Sequence, residues 1–119
     1  MAEPRRIAAI VRTPALRTAY RRGAAFERQV KAHLEQGGGV VIRSAGSHSP
    51  ADLLWLSAGF PQSYAIQCKH ASGMTRKERV AFYGWCETAG VLPLLITKVR
   101  GGFRVERVAA LGDLVAWAL

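Results

Sequence analysis

Scarcity is informative in this chain. Its 119 residues include two cysteines, three histidines, eight acidic residues and no asparagine. Cys68 and Cys86 belong to no CxxC or CxxH pair, so neither a disulfide framework nor a zinc site is expected. Cys68 lies in an apolar, strand-like run and reads as a buried free thiol. His33, His48 and His70 are too scattered to complete a metal site. No apolar run approaches the roughly 20 residues that a bilayer-spanning helix needs. The charged start, Met1-Ala-Glu-Pro-Arg-Arg, is not followed by the apolar block of a signal peptide. The expectation is a soluble, cytoplasmic and nucleoid-associated protein with no membrane partner. The missing asparagine fits either base composition or heat adaptation, and the sequence leaves both open.

What the chain has in excess is positive charge. Lys and Arg total 17, and the net charge is +9. On a small domain such an excess favours a polyanionic partner, because each neutralised phosphate releases condensed counterions. Arg greatly outnumbers Lys, and its planar fork grips phosphate oxygens in pairs. Half of the chain is apolar, enough for one core, and the length suits a single domain.

Residues 1–17, with Pro4, Pro14 and several Arg, show no clean period and are expected to form a mobile basic arm. Residues 18–119 are expected to form one domain. Helical spacing sets in at Thr18, with Phe26, Val30 and Leu34 on one face, and Gly37-Gly38-Gly39 ends it near Gln36. Val40–Ile42, Asp52–Leu56 and Tyr64–Lys69 read as strands, the last two as an antiparallel hairpin. Thr75–Ala89 reads as a helix and Leu92–Val99 as a strand buried on both faces. Phe103–Val108 reads as an edge strand and Ala110–Leu119 as a short apolar helix. The predicted order is α-β-β-β-α-β-β-α, an α/β chain with a central mixed sheet flanked by helices.

Metal-assisted cleavage of a phosphodiester needs hard oxygen ligands converging on Mg²⁺ and a cation near the attacked phosphate. Among the few carboxylates Asp52 stands out, at the mouth of the apolar strand Asp52-Leu-Leu-Trp-Leu. The plainer account is an Asp that satisfies loop amides after Pro50. Gln67 and Lys69 are two apart in a strand, so they share a face, while Ile66, Cys68 and His70 share the other. In a hairpin, Asp52 faces Gln67 across the ladder. The plainer account of this pair is an exposed strand face. Glu27 lies between core residues Phe26 and Val30 and can lean toward the sheet.

Context sharpens these weak patterns. Arg22-Gly23-Ala24-Ala25-Phe26-Glu27-Arg28 resembles the helix start of archaeal Holliday-junction resolvases, where a basic-Gly pair precedes Glu-Arg. Val41-Ile42-Arg43-Ser44-Ala45-Gly46-Ser47 is similar to that family's strand and serine loop, and Ser49-Pro50-Ala51-Asp52-Leu53-Leu54 to its metal-ligand Asp segment. Tyr64-Ala65-Ile66-Gln67-Cys68-Lys69 resembles its Glu-x-Lys strand. Ala89 to Ile96 resembles its Gly-x-x-Pro strand, and Phe103-Arg104-Val105 the aromatic-basic strand that follows. The likeness runs over residues 21–108 in the family's order.

The resemblance implies a restriction-endonuclease-like fold of the PD-(D/E)XK type and a structure-selective endonuclease acting on four-way junction DNA as a homodimer. It implies Mg²⁺ as cofactor, with Mn²⁺ able to replace it, held by Glu27, Asp52, Gln67 and the Cys68 carbonyl. Lys69 would orient the attacking water or stabilise charge on the phosphorane, and Ser47 would approach the scissile phosphate. Arg21, Arg22, Arg28, Arg43, Ser47 and His48 would contact DNA. One position departs: the family has an acidic residue where this chain has Gln67, as Mrr-like restriction enzymes do in their Gln-x-Lys motif. An amide oxygen ligates Mg²⁺ without adding charge, so weaker metal affinity is expected. Two rival functions follow, a Mrr-like or repair nuclease on duplex or flapped DNA, and a non-catalytic junction-binding protein.

Overall fold

The computed structural model describes residues 14–44, 49–56 and 62–118. The stripe Phe26, Val30, Leu34 becomes the buried face of helix α1 (Pro14–Gln36). The helix begins four residues before Thr18 and so takes in the end of the expected basic arm. Proline suits a first turn, where its missing N–H has no intrahelical partner to lose. After Gln36, Gly38 and Gly39 adopt φ of 94° and 98°, which side chains resist, and the chain turns into β1 (Val40–Arg43).

The remaining strands are β2 (Leu53–Leu56), β3 (Ser63–Lys69), β4 (Leu92–Val99), β5 (Gly102–Val108) and β6 (Leu114–Ala116), with helix α2 (Arg76–Ala89) between β3 and β4. They form one sheet in the order β1-β2-β3-β4-β5-β6. Only β3 and β4 are parallel, joined by the α2 crossover; the other neighbours are antiparallel. The mixed sheet and the β2–β3 hairpin are as expected. Thr75 caps α2: its hydroxyl accepts from the Glu78 N–H at 3.1 Å and its own N–H donates to the Glu78 carboxylate at 2.8 Å. Gly90, at φ 76°, closes the helix in the left-handed conformation.

One helix lies on each face. On one side Phe26, Val30 and Leu34 of α1 pack on Val41, Leu53, Ile66, Leu94 and Ile96. On the other, Phe82 and Cys86 of α2 pack on Ala65, Leu95 and Val108. Each fully buried large side chain contributes about 1.5–3 kcal/mol of hydrophobic stabilisation. Among the described residues no helix is long and apolar enough to cross a membrane.

Two expectations are corrected at the C-terminal end. Ala110–Leu119 is not a helix: a short 3₁₀ turn (Ala110–Gly112) leads into β6. Leu111 at φ 66° and Gly112 at φ 81° break any continuing helix, and Asp113 is extended. Arg79 on α2 clamps this turn, its Nε donating to the Gly112 carbonyl at 2.5 Å. Consequently β5 is not the edge strand, because β6 pairs along it. The apolar tail is drawn into the sheet as Val115 lies opposite Arg107 and the Trp117 N–H donates to the Val105 carbonyl at 3.0 Å.

Candidate active site

Asp52 sits one residue before β2 and is pinned on three sides. Its N–H donates to the Ile66 carbonyl at 2.8 Å, its carbonyl accepts from the Ser44 N–H at 2.9 Å, and its Oδ2 accepts from the Cys68 N–H at 2.8 Å. The β2–β3 register ends at Leu53 opposite Ile66, and Asp52, just before it, bonds to Ile66 and Cys68, the neighbours of Gln67, rather than continuing the ladder opposite Gln67. The carboxylate satisfies a backbone amide of β3 rather than the loop amides after Pro50.

Gln67 and Lys69 emerge on the α2 side of β3. Gln67 Nε2 donates to the Pro50 carbonyl. A carbonyl only accepts, so this bond fixes the amide's orientation and assigns Oε1 to the other branch. Together with Glu78, Met74, Phe82 and Trp85, the two side chains line a cavity of about 460 Å³. From the opposite face of the sheet, Glu27 of α1 reaches the same end and accepts from Arg43 Nε at 2.9 Å.

The electrostatics ties these groups together. Burial pushes the Asp52 carboxyl above its ordinary value; the Cys68 N–H opposes this, the Glu27 charge adds to it, and Lys69 and Arg43 oppose it. The Cys68 thiol is pushed up by burial and then by Asp52 and Glu27. Burial also raises the Cys86 thiol, to about 12. Both cysteines are free, as expected.

The donor set suits a hard cation. It comprises two carboxylates, an amide oxygen and a backbone carbonyl, the oxygen-only chemistry of Mg²⁺ or Mn²⁺ rather than of zinc. Among the described residues no three His, Cys, Asp or Glu side chains could together hold a metal ion. A metal held by the expected ligands would therefore need Gln67 and the Cys68 carbonyl as well as Glu27 and Asp52. His70 stands edge-on to Phe26 with ring centres 6.2 Å apart, and His33 edge-on to Phe103 at 5.5 Å, which gives both a packing role.

Of the expected DNA contacts, Arg21, Arg22 and Arg28 are exposed on α1, while Arg43 is half-buried against Glu27. Ser47 and His48 lie outside the described residues. Two participants were missed. Glu78 borders the cavity beside Lys69, and its carboxyl is lowered first by the Thr75 N–H, with Lys69 adding to the effect. The pattern Thr75-x-x-Glu78 before an apolar run is a capping-box signal that was there to be read. Pro50 was read as a loop residue, and nothing in its side chain announces that its carbonyl orients Gln67.

No sequence among the curated proteins matches the chain. Among solved structures, Archaeoglobus fulgidus Hjc, a Holliday junction resolvase from an archaeal hyperthermophile, superposes with a TM-score of 0.58 at 22% identity, covering 70% of each chain. That likeness establishes a shared fold. The family model for the archaeal Holliday junction resolvase (hjc) matches residues 18–113. The match takes in both helices' buried faces and every strand up to the last, and the chain belongs to the archaeal Holliday junction resolvase family.

Proposed function

We propose that the chain resolves four-way DNA junctions by Mg²⁺-dependent hydrolysis of phosphodiesters, acting as a homodimer. The observation that carries this is the half-buried Asp52 carboxylate, hydrogen-bonded to the Cys68 N–H of β3, between Gln67 and Lys69, whose side chains line one cavity. Glu27, Asp52, Gln67 Oε1 and the Cys68 carbonyl would hold the cation, and Mn²⁺ has the same ligand preferences. When bound, the cation supplies Lewis acidity and neutralises developing negative charge. Lys69 orients the attacking water or steadies charge on the phosphorane. The exposed Arg21, Arg22 and Arg28 hold the DNA backbone, with Ser47 and His48 as further contacts to it.

A junction with two-fold symmetry, cut on two strands, matches two sites related by a C₂ axis. The exposed apolar residues Val40, Ile42 and Leu56 at one sheet edge, and Leu114 and Val115 at the other, are suitable interface material. Trp117 is engaged within the fold, against Tyr64 and under Arg107. Gln67 favours one second reading, a Mrr-like nuclease acting on duplex DNA.

The test is incubation of the protein with labelled four-way junction and with linear duplex, in Mg²⁺ or in EDTA. Paired cuts in the junction alone, only with Mg²⁺, are expected. Equal cutting of duplex would favour the Mrr-like reading, and binding without any cutting would favour a non-catalytic junction binder. Light scattering should give a dimer; a monomer both alone and on junction DNA would remove the two-site argument.

A further inference from the structure

The Glu27–Arg43 pair differs from the other ion pairs among the described residues. Lys31–Glu35, two turns further along α1, leaves 33% and 42% of its side chains exposed, Arg76–Asp113 leaves more than half of both, and Arg104–Glu106 covers its Glu to the same 20% but leaves Arg104 57% exposed at a longer 3.4 Å. Glu27 is 20% exposed and Arg43 33%, with Nε and Oε1 2.9 Å apart. A partly buried pair is screened less than a surface pair and holds its geometry better. It is also placed at the site: Arg43 ends β1 opposite Leu53, Ser44 beside it binds the Asp52 carbonyl, and the charges of Glu27 and Arg43 both reach Asp52.

This pair has a consequence for metal binding, if the metal-dependent reading above holds. A guanidinium bonded to Oε1 occupies an oxygen that a hard cation would use, and it repels a dication. An arginine fork binds phosphate oxygens in pairs and is less strongly hydrated than an ammonium, so a DNA phosphate is a strong competitor for it. The chain's net charge of +9 favours binding of phosphates. We propose that Arg43 is a positioning residue that guards Glu27: without DNA it ties up the carboxylate, and a phosphate of the bound junction draws it away and frees Glu27 for the metal. Metal and junction then bind cooperatively, each tightening the other by the same factor. The cutting centre is assembled only on DNA.

The test measures binding of Mn²⁺ itself, from the free-ion electron paramagnetic resonance signal, so it does not depend on cleavage. Without DNA, Arg43→Ala should bind Mn²⁺ at least about tenfold tighter than the wild-type chain, within the range of ordinary coupling between sites. In the Lys69→Ala background, where the strand should remain whole, adding four-way junction should tighten Mn²⁺ binding strongly. Adding Arg43→Ala to that background should leave a clearly smaller gain. Arg43→Gln, which keeps length and a donor, serves if the alanine variant fails to fold. Equal or weaker Mn²⁺ binding by the charge-free variants without DNA overturns the guard while leaving the metal site standing. If no variant binds Mn²⁺ even on DNA, the metal reading falls as well; loss of binding in Asp52→Asn separates that outcome from binding elsewhere.

Discussion

The two faces of β3 do different work, and the difference lies in how each helix covers them. On the α1 side Ile66 is wholly buried with Phe26, Val30 and Leu53, and Cys68 packs against the same cluster. On the α2 side Ala65 is buried under Phe82 and Cys86, but Gln67 and Lys69 open into a cavity of about 460 Å³. Coverage therefore runs along one face and stops partway along the other. Where it stops, the polar side chains of Gln67 and Lys69 have room, and the Asp52 carboxylate bonds to the main chain between them at Cys68. On the proposed function, one strand then serves stability on one side and chemistry on the other, and substitutions on its two faces should separate the two properties.

The largest effects test that separation directly. Ile66→Ala should lose about 2–5 kcal/mol of stability through lost burial and a cavity, read by urea unfolding. Lys69→Ala should change stability little and abolish Mg²⁺-dependent cleavage of four-way junctions, with junction binding retained on the remaining arginines. If Lys69→Ala destabilised as much as Ile66→Ala, or still cleaved, the division between the faces would be lost.

The same division explains what was legible in advance. Residues whose roles rest on local pattern were readable: Phe26, Val30 and Leu34 by helical spacing, Leu92–Val99 by its apolar run, and Gln67 and Lys69 by their shared face in an apolar strand. The antiparallel pairing of β2 with β3, which brings Asp52 beside β3, followed once a hairpin was assumed, whereas its bonds to Ile66 and Cys68 instead of a place opposite Gln67 could not be read. Ala110–Leu119 was misread because an apolar run of that length suits a helix as well as a strand, and its pairing with the strand just before it depends on the turn at Leu111 and Gly112, which periodicity does not show. The Glu27–Arg43 pair joins residues 16 apart from two different elements, and the Pro50 carbonyl acts through the backbone. Neither leaves a mark in composition or periodicity.

Gln67 sharpens the comparison from inside the chemical face. By charge alone, Gln67→Glu should tighten Mg²⁺, since a carboxylate at a ligand position attracts a dication by several kcal/mol before desolvation, at an effective dielectric of about 20. Repulsion from Asp52 and Glu27 cancels part of that. The structure adds a second cost: Gln67 donates to the Pro50 carbonyl, and a carboxylate there sets two acceptors against each other. Gln67→Glu should therefore cleave at lower Mg²⁺ yet lose about 1–3 kcal/mol of metal-free stability, the usual cost of an unmade buried hydrogen bond. Gln67→Ala should lose stability as well and need more Mg²⁺. Cleavage against Mg²⁺ for the three proteins is the measurement, and coincident curves would remove Gln67 from the ligand set.

The smallest effect concerns the cost of holding Asp52 ready. Burial, reinforced by Glu27, raises its carboxyl above the ordinary 3.8 despite the Cys68 N–H and the two nearby cations. The folded chain therefore keeps the Asp52 proton to higher pH than the unfolded chain does. Below 3.8 both states are protonated and the group is neutral toward stability. As pH rises from there through the raised folded value, the unfolded state ionises first and gains, so stability falls and then stays lower. Asp52→Asn removes that ionisation, and its side-chain oxygen can still accept the Cys68 N–H. In EDTA the variant should melt a few degrees above the wild-type chain at about pH 7, with the gain shrinking toward about pH 4. Added Mg²⁺ should narrow the gap at the higher pH, because it stabilises only the chain that binds it. A gap that stayed constant across this pH range would mean that the carboxylate's desolvation is fully compensated in the fold, and that the chemical face of β3 carries no cost in stability.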